Sequence, residues 1–435
     1  MGSVGWMDTV AAGEGLRVDQ GVYELELDDD GNVQGQGTVA GETVVGRSAA
    51  LFALSPGAAV TQVAVDGVDA VAEAVGEGVW SVAAHLAPGI RHRVQVRYAG
   101  RLDRAFMRDE AGHAWYEMQF MTRWRPVWDL DHPAKSRVVL TLPATFRAAS
   151  SFGLVEEDRT GAAIRYRWDT GDAACGDFSL VVGEGLHADG DAGPVQLRAL
   201  CPVAAPYSPT AVLTAARTAL TAYSGAWGPC PYQRLTLACL PHSACGNCSR
   251  EGLVLLGHLQ ADPADNPDAF RLVAHEVSHM WWGLGVRFAE DRGLGYVEAL
   301  ANYCDERLAR DRFGEASFRR HVSTVLLPHA KLAEAAAGVS LKGCRYDTPE
   351  SGRLRWAKGA CAMLLLEALI GRTRMDAALS KLMEGFTGRQ AEPADVRAAF
   401  VELQAGSGSV RRLFDDYFDG VVPIPNEPAR YGDTG

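Results

Sequence analysis

Apolar and polar positions alternate through much of the first 200 residues. VYELELD (22–28), TQVAVDGV (61–68), RHRVQVRYAG (91–100), RVVLTLP (137–143), IRYRWD (164–169) and FSLVVGEG (178–185) carry the pattern. A period of two belongs to strands with one face on a core and the other in water. Gly, Asp and Pro clusters separate these runs at hairpin-like intervals, which predicts an antiparallel sheet domain.

The period changes near residue 200. PTAVLTAARTALTAYSGAWG (209–228) is long, Ala-rich and helical in character. Two strand-like runs follow, RLTLACLP (234–241) and GLVLLG (252–257). Beyond residue 266 apolar residues recur at i, i+3 and i+4 in segments 268–283, 295–312, 354–371 and 374–386, the spacing of helices with one buried face. The Pro-rich LCPVAAPYSPT (200–210) marks the change. The expected organisation is α+β: an antiparallel β domain over 1–204, then a mixed-sheet, mainly helical domain over 205–435. No solenoid-period repeat and no low-complexity block interrupts it.

Composition narrows the function classes. With 435 residues, 47% hydrophobic and 22% charged, the chain is of globular type and large enough for two cores. A formal net charge of −12 argues against a nucleic-acid partner, because binding phosphates needs a cation surplus. No run of about 18 apolar residues predicts a membrane span, and the N-terminus lacks the basic and apolar regions of a signal peptide. Nine scattered cysteines suit reduced thiols in a cytoplasm better than a disulfide framework. The Ala, Gly and Arg richness suits a bacterial gene. The oligomeric state stays open.

The chemistry gathers at HEVSHMWWG (275–283). Residues four apart on a helix share a face, so His275 and His279 present two imidazoles to one ion. Glu276 stands beside them as a general base for water. This is the H-E-x-x-H arrangement, which suits zinc with an open coordination position. Glu298 follows His279 after eighteen intervening residues, in GLGYVEALANY, where Tyr296, Leu300, Tyr303 and Leu308 predict an amphipathic helix that returns it as a third ligand. Asn302 lies one turn after Glu298 and is a candidate partner for a ligating histidine.

H-E-x-x-H, eighteen residues, then Glu resembles the signature of the gluzincin metallopeptidases of the aminopeptidase N and leukotriene hydrolase family. WWG (281–283), YVEALANY (296–303), GPCPY (228–232), WDLDHPAKSRVVLTLPATFRAASSF (128–152) and FDDYFDGVVPIP (414–425) are similar to further stretches of that family. The resemblance therefore runs over nearly the whole chain. It implies a saddle-like N-terminal β domain, a thermolysin-like catalytic domain and one zinc ion.

The same comparison exposes departures. The family's strand glutamate, which binds the substrate's free amine, and the asparagine after it fall at Ser249 and Arg250 in GNCSREGL (246–253). Arg is suited to fork onto a carboxylate, so a ligand with a negative or neutral group is expected there. Gln119 matches a family glutamine near the substrate's amino end. In RWAKGACAMLLLEALIG (355–371), Trp356 stands where the family carries its oxyanion-binding tyrosine. Tyr346, Arg353 and Arg355 are candidate substitutes. The larger relatives' C-terminal helical domain has no counterpart in this sequence.

Cys230, Cys239, Cys245 and Cys248 are weighed as a second metal or redox site, with ordinary thiols preferred. GDAGPVQ (190–196) has no helix after it and is expected to be a loop. The function expected is a zinc-dependent hydrolase of a peptide or small-molecule amide bond, distinct from a standard aminopeptidase. The alternatives are a zinc enzyme that cyclises or rearranges a small metabolite, and a catalytically weak zinc-binding scaffold.

Overall fold

The computed structural model describes residues 7, 16–43, 46–128, 133–172, 174, 177–243, 246–288, 294–344, 349–402 and 408–426. Tyr346 and Cys245 lie outside them. The chain forms two units. One holds Met1–His187, Ala199–Ala205 and Thr236–His258; the other holds Ala188–Arg198, Pro206–Leu235 and Leu259–Gly435.

The first unit is built from β1 (Arg17–Leu27), β2 (Asn32–Glu42), β3 (Arg47–Ala53), β4 (Ala58–Val65), β5 (Val68–Gly76), β6 (Val79–Leu86), β7 (Arg91–Arg101), β8 (Phe106–Arg108), β9 (Ala114–Met118), β10 (Lys135–Pro143), β11 (Arg147–Ser150), β12 (Leu154–Thr160), β13 (Ala163–Asp169) and β14 (Leu180–Gly183). Ten of them form one sheet, in the order β12-β13-β10-β1-β2-β7-β4-β5-β6-β3. Its pairings are antiparallel except β1 with β10, which run parallel. That exception departs from the purely antiparallel sheet expected. It is possible because a long stretch of chain separates the two strands, as a parallel connection requires.

Alternation in β1 buries Val18, Tyr23, Leu25 and Leu27. β2, NVQGQGTVAGE, has no such signature, and its glycines explain why it is still a strand. A Cβ on Gly35 would stand 2.4 Å from the Tyr98 ring, and one on Gly37 3.2 Å from the Tyr23 ring. Aromatic rings from neighbouring strands lie across the bare backbone and supply the packing that β2 lacks. Trp124, Trp128 and Trp168 complete this core.

A smaller sheet runs β11-β14-β9-β8. β9 is buried along its whole length and leads directly into Gln119. In the same unit strand Arg234–Cys239 pairs in parallel with Leu253–Leu256 from Thr236 onward, and Asn247–Arg250 pairs antiparallel with Leu253–Leu256.

Helices make up most of the second unit. Pro209–Trp227 starts at Ser208, whose side chain accepts the Ala211 N–H; Pro267–Ser278 starts at Asn266, which accepts from Asp268 and Ala269. Both carry proline in the first turn, where its missing N–H costs nothing. Helices follow at Leu294–Phe313, Arg372–Phe386, Pro393–Glu402 and Gly408–Tyr417. Two further helices widen into a π turn partway: Glu315–His321 passes through Val322–Leu326 into Leu327–Ala337, and Pro349–Arg353 passes through Leu354–Lys358 into Gly359–Ile370.

The helix expected over 268–283 stops earlier, at Ser278. Gly283 takes φ +104 and its N–H turns back to the Val286 carbonyl. Trp281 and Trp282 are fully buried. Trp281 packs edge-on to Tyr223, Trp282 packs on Trp227, and the Trp281 indole donates to the Gly228 carbonyl at 3.1 Å. Among the described residues no helix is long and apolar enough to cross a membrane.

Candidate functional site

His275 sits in the last turn of helix Pro267–Ser278, and His279 caps that helix with helical angles, φ −61 and ψ −17. The two side chains therefore leave one face. Their Nε2 atoms lie 3.2 Å apart, and Glu298 Oε2 lies 3.5 Å from His275 Nε2. One donor atom from each of His275, His279 and Glu298 falls within 4.8 Å of the others. Nitrogen ligands about 2.0–2.1 Å from a tetrahedral zinc stand about 3.3 Å from each other, so the histidine pair matches such an edge.

The other ring nitrogens are tied down. His275 Nδ1 lies 3.0 Å from Asp305 Oδ2, and His279 Nδ1 lies 3.0 Å from the Trp282 carbonyl. An acceptor at Nδ1 keeps the proton there and leaves the Nε2 lone pair for a metal. Glu298 comes from helix Leu294–Phe313, which crosses close behind the histidines because Gly283 has no side chain. A Cβ there would meet Val297 Cγ1 at 2.9 Å.

Electrostatics make the site a place for a cation. For Glu298, burial opposes ionisation, but the His275 hydrogen bond and the charges of His279, His275 and Arg355 overcome it and hold the carboxyl down to about 2. For His275, burial disfavours the charged ring. Bonds to Asp305 and Glu298 and the charge of Glu276 outweigh burial and raise its pKa well above the ordinary value. Burial, with Glu306 alongside, pushes Asp305 up to about 6 against the bond from His275. Glu276 is buried, 3% exposed, within the same helical turn as the histidines. Two imidazoles, an ionised carboxylate and oriented Nδ1 partners are the donor set zinc takes.

Asp305 had escaped notice in the sequence. It lies seven residues, two helical turns, beyond Glu298 on the same face, so the helical period was the available signal. Asn302, one turn on, spends its amide on the Glu298 carbonyl of its own helix at 2.9 Å. The contact to a histidine belongs to Asp305.

Trp356 lies on the π turn Leu354–Lys358, half-buried, with its ring 4.9 Å from that of His329. Arg355, next to it, is 5% exposed, while Arg353 is a surface residue 3.6 Å from Glu350. Among the described residues no group of metal-type donors includes Cys230, Cys239 or Cys248.

Gln119, Ser249 and Arg250 belong to the first unit, and there Gln119 and Arg250 meet. Arg250 Nε reaches Asp177 Oδ2 at 3.1 Å, Nη2 reaches Gln119 Oε1 at 3.0 Å, and Nη1 reaches the Ser249 carbonyl at 3.0 Å. Gln119 in turn donates to Glu117, which also accepts from Ser243 at 2.8 Å. Within this unit the Arg250 fork is engaged by Asp177 and Gln119.

Residues 243–417 match the family described as Peptidase family M1 domain. An aminopeptidase N of Haemonchus contortus is 25% identical over 189 residues, which is 40% of this chain and 19% of that relative. The chain thus spans about a fifth of the curated relative that it matches. The solved M1 zinc metallopeptidase from Deinococcus radiodurans superposes with a TM-score of 0.67 at 18% identity, over 97% of both chains. A mutant of it bound to Tyr-Ser-Ala substrate superposes with 0.68 at 19% identity, over 95% of this chain and 96% of that one. Over residues 243–417 the chain thus matches the M1 domain, and over nearly its whole length it shares the fold of these solved structures.

Proposed function

We propose that this chain is a zinc-dependent hydrolase of peptide or amide bonds, with one zinc held by His275, His279 and Glu298. The observation that carries the reading is the pair of Nε2 atoms 3.2 Å apart with both Nδ1 atoms anchored. When bound, zinc supplies a Lewis acid that acidifies water and polarises a carbonyl. Glu276 takes the proton of the attacking water and returns it to the leaving nitrogen. Asp305 and the Trp282 carbonyl keep the two imidazoles in the ligating tautomer. A peptide substrate accords with the Tyr-Ser-Ala described on the Deinococcus radiodurans mutant. The test is hydrolysis of a peptide library by the zinc-loaded protein and by Glu276→Gln. The variant should keep zinc and lose about 10²–10⁴ in rate. Equal rates would sink the assignment.

The substrate's amino end distinguishes this chain from a standard aminopeptidase. At the position the resemblance gives to the amine-binding glutamate stands Ser249, and Arg250 beside it is neutralised by Asp177. We propose substrates whose amine is blocked or absent. Anilides of free and N-acetylated amino acids, compared by kcat/KM, decide it: preference for the free amine refutes the proposal. Full zinc occupancy with hydrolysis of neither favours cyclisation or rearrangement. A cytoplasmic setting accords with the thiols of Cys201, Cys230, Cys304 and Cys361, which form no disulfide.

A further inference from the structure

Segment 418–424 runs against the metal-site helices at two points. Phe418 stacks face to face on Tyr296, with centroids 5.1 Å apart and planes 5° from parallel. Tyr296 is two residues before Glu298. The start of the segment is fastened where the Lys342 N–H donates to the Phe418 carbonyl at 3.0 Å and Arg397 reaches Asp419 at 2.7 Å.

The second point is a buried ion pair. Lys358, on the π turn, is 1% exposed and lies 3.4 Å from Glu334. Its ammonium also donates to the Val422 carbonyl at 2.8 Å, and the Ile424 N–H donates to Glu334 at 2.8 Å. Pro423 and Pro425 have no N–H and fixed φ, so the stretch is stiff and Ile424 supplies its one backbone donor. Both charges thus find partners on the same short run of backbone. A buried pair needs such extra bonds to offset its lost hydration.

The π turn leads straight to the metal site. Gly359 follows Lys358, and Ala299 follows Glu298. A Cβ on Gly359 would lie 2.6 Å from the Ala299 Cβ, so the two backbones touch without slack.

We propose that segment 418–424 is a positioning element of the metal site: it seats the Leu354–Lys358 turn through Lys358 and Glu334, and it fixes Glu298 through Gly359 against Ala299 and Phe418 against Tyr296. The role of Lys358, Glu334 and Ile424 is thus to orient Glu298 toward the metal. This rests on the zinc reading above.

The test uses the full chain with zinc and, separately, with cobalt(II) as a spectroscopic stand-in. Lys358→Met and Phe418→Leu, which removes the ring stacked on Tyr296, are compared with Leu379→Ala, a buried position in helix Arg372–Phe386 outside this network. Zinc affinity is read by chelator competition, ligand geometry by the visible cobalt spectrum, and folding by thermal midpoint. The expected result is zinc binding about 10-fold weaker or more, with an altered cobalt spectrum, in both strap variants. Leu379→Ala should lower the midpoint and leave both metal readouts unchanged. Phe418→Leu keeps the test open should Lys358→Met not fold. Folded strap variants with unchanged zinc affinity and cobalt spectrum overturn the proposal, because the segment is then only a stabilising contact. Wild-type protein that binds no zinc would instead refute the zinc reading itself.

Discussion

Asp305 Oδ2 stands 3.0 Å from His275 Nδ1, and both Asp305 and Glu298 project from one helix toward one histidine. On the zinc reading proposed above, a single rigid element would offer the metal a ligand and orient a second. Asp305→Ala should weaken zinc binding about 10–100-fold, measured by chelator competition. Asp305→Asn keeps an acceptor for the Nδ1 proton and should lose less. Equal affinity in all three proteins would show that His275 is held by other means.

Zinc removal should destabilise the helical unit without unfolding it. Phe270, Val273 and Val277 pack helix Pro267–Ser278 with no exposure, so the core does not depend on the ion. At about 100-fold excess over its dissociation constant, zinc adds roughly 2.7 kcal/mol. That is about 5–10 °C in thermal midpoint for a unit of this size. Circular dichroism of the chelated protein should keep its helical signal, and collapse of that signal would contradict a preformed site.

Gly359→Val tests the contact behind Glu298. The added Cβ must displace Ala299, at a cost of about 1–3 kcal/mol, and chemical denaturation reads the loss. A stability equal to wild type would mean that the two helices have room to separate.

The Arg250 fork gives a double-mutant cycle. Arg250→Met and Asp177→Asn should each cost about 1–3 kcal/mol, since each leaves a half-buried charge without its partner. The double variant should cost less than the sum. Additive costs would mean that the 3.1 Å pair contributes nothing as a pair.

Much of this was legible in the letters. That His275, His279 and Glu298 come together was visible because metal-type donors stand at helical spacing in the sequence. The alternating strands appear where one face is buried. β2 escaped because Tyr98 and Tyr23, on other strands, supply its packing, and a single strand's pattern carries no trace of that. The end of helix Pro267–Ser278 was misjudged because the two tryptophans continue the apolar spacing while Gly283 breaks the backbone. The partners of Arg250 were hidden for a related reason. Its charge is visible in the sequence, but Asp177, 73 residues away, is what uses it.

The π turn at Leu354–Lys358 has a consequence for comparing this chain with others. One residue more in a turn rotates everything beyond it by about 100°. Counting back from Lys358, Gly359 and Ala360 to the position of the family tyrosine crosses that rotation. Two chains can therefore agree letter for letter on one side of the turn and aim the equivalent side chains in different directions on the other. Trp356→Tyr would return the letter, but the phase of the helix decides where the hydroxyl points.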